Sequence, residues 1–168
     1  IFMPLVTPSR RVALGAQDIS TELRGAYTGS ISAPMMKYSG ATYTIIGHSE
    51  RRAIGETDEI INQKVKVALG QGLRVILCVG ERERDTHGGY LAYLRGQLET
   101  AIHRLPRAAA RGLAITYEPV WAISTQPGAE PDDPANTPEA IKIIKNFLIT
   151  RFSAKNEVFR RTRQNAPW

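Results

Sequence analysis

Cysteine is almost absent from this sequence: Cys78 is the only one in 168 residues. An internal disulfide is excluded, and a lone thiol suits a reducing compartment, most simply the cytosol, so a cytoplasmic protein is expected. Long apolar runs are missing as well. None approaches the roughly 20 residues that a membrane-spanning helix needs. The opening Ile1-Phe2-Met3-Pro4-Leu5-Val6 is too short, and too broken by Pro4, to read as a secretory segment. There is no Walker loop, no zinc-type Cys/His spacing and no aromatic RNA-binding pattern. No low-complexity repeat or internal linker divides the sequence, so one domain is expected over residues 1–168.

Hydrophobic residues make up 42% and charged residues 23%, a globular balance that argues against disorder and against a disulfide-stapled scaffold. A chain of this length can bury roughly 70% of its unfolded surface. The net charge of +6 raises the question of a nucleic-acid partner. Most of it sits at one end, where Arg151, Lys155, Arg160, Arg161 and Arg163 stand against Glu157 alone. That stretch reads as a solvated terminus, and neither nucleic acid nor membrane is expected as a partner.

Four short β-prone runs recur at intervals of about 30 to 40 residues, the length of one strand-helix-strand repeat. They are Val12-Ala13-Leu14-Gly15-Ala16, Tyr43-Thr44-Ile45-Ile46-Gly47, Val75-Ile76-Leu77-Cys78-Val79-Gly80 and Leu113-Ala114-Ile115-Thr116-Tyr117. Their continuous hydrophobicity predicts parallel strands covered on both faces. Between them, Ile60, Ile61, Lys64, Val65, Val67, Ala68 and Leu69 give a helical face, begun by the acidic residues 56–59 and stopped at Gly70. Residues 90–105 carry Leu91, Leu94, Leu98, Ile102 and Leu105 at helical steps before Pro106. Thr137 as N-cap and Pro138 in the first turn predict a helix over 140–148, and residues 31–38 form a shorter candidate. Residues 126–136 read as a long loop, while 1–11 and 151–168 show no clear periodicity. The pattern is α/β with a parallel sheet.

Such folds gather function in loops at the carboxyl ends of strands. Four are readable: Gln17-Asp18, Gly47-His48-Ser49-Glu50-Arg51-Arg52, Gly80-Glu81-Arg82-Glu83 and Glu118-Pro119-Val120-Trp121. His48 and Glu118 each follow directly on a strand, where a catalytic pair would be presented. Each feature also has a plainer reading. His48 can serve a local hydrogen bond, and Glu50 with Arg51 and Arg52 can be a surface charge cluster. Cys78 reads as a packed small apolar residue, and Pro119-Val120-Trp121 can simply pack a strand end.

Gly47-His48-Ser49-Glu50-Arg51-Arg52 with Gly55-Glu56, then Ile76-Leu77-Cys78-Val79-Gly80-Glu81, then Tyr117-Glu118-Pro119-Val120-Trp121-Ala122-Ile123 resemble, in order and spacing, the triosephosphate isomerase family. Leu14-Gly15-Ala16-Gln17-Asp18 and Gly25-Ala26-Tyr27-Thr28-Gly29 extend the resemblance, which covers roughly residues 12–148. It implies a TIM (β/α)8 barrel and the interconversion of dihydroxyacetone phosphate and glyceraldehyde 3-phosphate. Glu118 then matches the catalytic base. His48 matches the neutral electrophile, with the backbone N–H groups after it turned toward the ring and disfavouring its protonated form. Glu50 matches a supporting carboxylate. Pro119, Val120 and Trp121 match the hinge of a lid over the substrate, and Ser124 a lid position near the phosphate. Thr28 and Gln17 match positions at the contact with a second subunit, although a Gly-flanked surface turn also fits the Thr28 loop. The resemblance implies a small phosphorylated sugar and a second copy of the chain as partners, with no cofactor and no metal.

A complete barrel of this kind has eight strand-helix units and about 250 residues. The four runs here resemble its third to sixth strands, so an incomplete barrel is expected. No Asn-Lys pair precedes Val12, and nothing resembles the Gly-rich loops that present N–H groups to the phosphate. In the lid, Ser124 and Gln126 stand where the family has Gly, with an insertion at 127–136, and Ser30 stands where Glu is usual. Three readings follow. The first is a triose-phosphate isomerase, weak or inactive as this chain alone. The second is a paralogue acting on a four-carbon sugar phosphate, and the third a non-catalytic fragment that needs a partner chain.

Overall fold

A computed structural model describes residues 12–123 and 137–152; the expected loop at 126–136, Ser124, residues 1–11 and residues 153–168 lie outside them. Strands β1 (Gly15–Ala16), β2 (Tyr43–Ile46), β3 (Arg74–Val79) and β4 (Leu113–Tyr117) lie side by side in chain order, every pairing parallel. Parallel neighbours need crossovers, and helices supply them. Helix α1 (Ala33–Tyr38) joins β1 to β2; α2 (Ser49–Ala53) and α3 (Asp58–Gly70) join β2 to β3; α4 (Gly89–Ala101) joins β3 to β4, and α5 (Thr137–Phe152) follows β4.

Local chemistry sets the helix starts. Ser32 and Thr57 accept from the N–H groups of Met35 and Ile60, capping α1 and α3, and Asp58 and Glu59 place negative charge in the first turn of α3. On one face of the sheet Val75, Leu77 and Val79 pack beneath Ile61, Val65 and Ala68 of α3 and Leu94, Leu98 and Ala101 of α4, all almost inaccessible. Full burial of each such branched side chain contributes about 1.5–3 kcal/mol. Register carries this row into β4, pairing Leu77 with Ile115 and Val79 with Tyr117.

The expectation of strands covered on both faces needs correction. Ile45 and Ile76, which are register partners pointing the other way, are only half-buried. The helices cover one face of the described sheet. Boundaries also differ: α1 begins at Ala33, not residue 31, and α5 begins at Thr137 itself, which was expected as its N-cap. The first run pairs only at Gly15–Ala16, its Val12 and Ala13 being exposed. Helix α4 stops at Ala101: Arg104 adopts φ 59°, and the Asn62 side chain donates to the carbonyls of Ala101 (2.9 Å) and His103 (3.1 Å). Ile102 and Leu105 remain buried past the helix, which is why its apolar spacing ran on to Pro106. Helix α5 continues past residue 148 to the buried Phe152.

Candidate active site

The carboxyl ends of β2, β3 and β4 converge because two of the residues that follow them are glycines. Gly47 has φ 79°, and a Cβ there would stand 3.0 Å from the Cys78 carbonyl oxygen. At Gly80 a Cβ would lie 1.8 Å from the Glu118 carbonyl oxygen, so only glycine admits this approach of β3 to β4.

His48 lies between Gly47 and α2, a five-residue helix that the sequence reading treated as loop. It is the N-cap, and its Nδ1 accepts from the Glu50 N–H at 3.3 Å. A ring nitrogen that accepts holds no proton, so the neutral imidazole carries its proton on Nε2. That nitrogen faces Glu118 Oε2 at 3.7 Å, and both side chains are about one-third exposed. Beneath them Arg52 latches the turn, with Nε donating to Gly47 O (2.7 Å), one amino group to Cys78 O (3.2 Å) and the other to Asp58 (2.5 Å).

Glu118 follows β4, and its N–H donates to Val79 O at 2.9 Å. Oε2 is buried, with no hydrogen bond of ordinary geometry to it among the described residues. The Cys78 thiol adjoins this carboxylate; burial first, then the Glu118 charge, pushes it up to about 12. The plainer reading of Cys78 as a packed, unreactive residue therefore stands.

The Pro119-Val120-Trp121 segment is tied down by one buried carboxylate. Glu81, 1% exposed, accepts from Trp121 Nε1 (3.1 Å), Tyr117 OH (2.9 Å) and Arg84 Nε (3.0 Å), while its backbone carbonyl accepts from Val120 N–H (2.9 Å). Arg84 also donates to the Tyr117 hydroxyl at 2.8 Å. Burial, and then the bond to Glu81, holds the Tyr117 phenol well above its ordinary range. The carbonyl end of Gln97 accepts from Gly80 N–H at 3.0 Å.

Of the residues singled out from the sequence, the structure brings His48 and Glu118 face to face, with Pro119, Val120 and Trp121 next in the chain and bound to Glu81. The Glu50 carboxylate is not with them. Its side chain is 76% exposed and stands 3.8 Å from Nδ1, on the opposite side of the ring from Glu118. Gln17 and Thr28 are exposed on the loop after β1, whose base is closed by Ser20 N–H to Ile31 O at 2.8 Å. Arg51 is not a loose surface charge, since it contacts Glu56 (2.7 Å) and Asp18 (3.1 Å), both of which also bind the buried Lys64. The sequence reading missed the roles of Glu81, Tyr117, Arg84, Gln97 and Arg52. One signal was available: a Trp N–H at a strand end needs an acceptor, and Glu81 follows the neighbouring strand at matching register.

The model of the triosephosphate isomerase family matches residues 4–159, wider at both ends than the motifs alone. A triosephosphate isomerase of Herpetosiphon aurantiacus is 50% identical over 125 residues, covering 73% of this chain and 50% of that protein. Those of Carboxydothermus hydrogenoformans and Aquifex aeolicus are each 43% identical, covering 84% and 87% of this chain and 56% and 58% of their own lengths. The chain thus spans about half the length of the curated relatives it matches. With a parallel strand-helix sheet and these relatives, the chain belongs to the triosephosphate isomerase family, and its fold is that of an incomplete α/β barrel.

Proposed function

We propose that this chain carries the proton-transfer face of a triose-phosphate isomerase, interconverting dihydroxyacetone phosphate and glyceraldehyde 3-phosphate. The observation that carries the reading is the pair itself: His48 Nε2 and Glu118 Oε2 facing each other at 3.7 Å. Glu118 takes a proton from the carbon beside the ketone. The electron pair left behind forms the carbon–carbon double bond of an enediolate, and the former carbonyl oxygen takes the negative charge. His48 Nε2–H gives its proton to that oxygen and takes back the proton of the adjacent hydroxyl, whose oxygen becomes the aldehyde carbonyl as Glu118 returns its proton to the former carbonyl carbon.

Pro119, Val120 and Trp121 act as the hinge of the lid to which Ser124 belongs, and Glu50 supports the ring from its Nδ1 side. Thr28 and Gln17 meet a second copy in a homodimer, a reading supported by the exposure of Leu23, Tyr27 and Ile31 on the same loop. The cytosol is the proposed compartment, and no metal or cofactor enters the scheme. The deciding assay is isomerisation of glyceraldehyde 3-phosphate by the chain and by its Glu118→Gln variant, which is expected to lower kcat by about 10²–10⁴-fold. Equal rates in the two proteins would sink the assignment, and so would a folded chain with no turnover. Faster turnover of a four-carbon ketose phosphate would move it to the paralogue.

A further inference from the structure

Tyr90, at the start of α4, is 7% exposed and held from two directions. Its N–H donates to Asp85 Oδ2 at 2.7 Å, and its hydroxyl donates to Glu139 Oε2 in the first turn of α5 at 3.0 Å. The ring so fixed lies 4.0 Å from the Arg84 guanidinium carbon, measured at its centroid, and the same guanidinium stands 5.4 Å from the Trp121 ring. Arg84 in turn binds Glu81, which holds Trp121 Nε1 and Val120 N–H. A continuous series of contacts therefore runs from the first turn of α5 to the hinge behind Glu118.

We propose that Tyr90 and Glu139 are positioning residues for the hinge: their hydrogen bond fixes the Tyr90 ring as the platform for Arg84, and through Arg84 and Glu81 sets the placement of Trp121. This rests on the isomerase reading of Pro119-Val120-Trp121 as a hinge. Each contact in the series depends on the one before it. A guanidinium stacked on a fixed ring presents its N–H groups in one direction, and a ring free to turn removes that restraint. A simple staple between α4 and α5 would change stability when cut but would leave Trp121 undisturbed.

Trp121 can report on itself, because Trp168 is the only other tryptophan. In a Trp168→Phe background of the full chain, Tyr90→Phe keeps the ring and removes only the hydroxyl. The expected result is a red-shifted Trp121 emission and acrylamide quenching raised about twofold. Where the parent isomerises glyceraldehyde 3-phosphate, kcat falls about threefold to tenfold while KM changes less than about twofold. Glu139→Ala gives the same changes, Glu139→Gln, which retains an acceptor, largely restores the parent, and the double variant adds nothing to either single one. Parental emission and quenching in both Tyr90→Phe and Glu139→Ala would overturn the proposal, as would additive effects in the double variant. If Tyr90→Phe fails to fold, Glu139→Ala at its exposed position carries the test alone. A parent without turnover defeats the isomerase reading, yet the emission arm still decides whether Tyr90 and Glu139 place Trp121.

Discussion

His48 and Glu118 face one another, but the two halves of the site are held by different means. The His48 half is built from backbone. A glycine in the left-handed region, a ring that caps the helix beginning one residue later, and an arginine clasping two carbonyls all lie within six residues of sequence, 47–52. The Glu118 half is built from side chains brought from far apart: Glu81, Arg84 and Tyr117 surround Trp121, and Gln97 of α4 steadies Gly80. Under the proposed function Glu118 is a base that delivers its carboxylate to a substrate and gains from a hinge behind it, and a hinge is easier to hold by a few removable hydrogen bonds than by a helix. His48, as the proposed electrophile, has only to stay in place with one ring nitrogen occupied.

The difference predicts unequal costs. Glu81→Ala strikes the side-chain half at its centre, leaving the Arg84 guanidinium, the Tyr117 hydroxyl and the Trp121 N–H without their shared acceptor. Removing one partner of a buried charged network costs about 3–5 kcal/mol, the largest loss expected here, read as a fall in the urea midpoint of the chain. A loss under about 1 kcal/mol would mean that these donors find water, and that the network is not what secures the hinge. Arg52→Ala strikes the other half. It removes three charge-assisted bonds, but Cys78 keeps its strand pairing with Thr116 and only Asp58 loses a charged partner. About 2 kcal/mol is expected in the same titration, with the His48 ring still capped by Glu50 N–H. Equal losses in the two variants would erase the distinction between the halves.

The same difference governs how much of the molecule was legible in its sequence. Four strand-helix repeats could be read because short apolar runs of strand length recur between helical patterns, and β4 falls where its run does. The sequence placed His48 and Glu118 at strand ends, where this architecture presents residues, and in the structure Glu118 follows β4 directly while His48 stands one glycine beyond β2. Helix α2 was not legible, since five residues are too few for a periodicity to show. Nor was the end of α4, because Ile102 and Leu105 are buried by a turn whose geometry depends on Asn62, some forty residues away. Glu81 stood in the reading as one residue of a polar loop. Its importance comes from register, which sets β3 beside β4 so that Tyr117 and Trp121 reach it, and register is not written in any single segment.

Cys78 is where the two halves meet, its carbonyl accepting from Arg52 and its thiol lying against Glu118. In the folded chain the thiol is pushed from an ordinary 9.0 up to about 12, by burial first and the Glu118 charge second, with Arg52 pulling weakly the other way. A thiol raised by folding favours the folded state while it stays protonated. That contribution is complete below the unfolded value and is lost as pH climbs from about 9 toward 12. At pH 8 iodoacetamide should therefore leave native Cys78 untouched and alkylate it in urea at the rate of a free thiol. Glu118→Gln removes the second cause and leaves the first, so the pH at which native alkylation begins should move down without reaching the ordinary value. Arg52→Ala should move it slightly up. Of all the changes considered these are the smallest, and they separate the two halves most cleanly, because one thiol reads the charge of both with opposite sign. An onset that ignores Glu118→Gln would place the carboxylate away from Cys78 and remove the side-chain half from contact with the centre of the sheet.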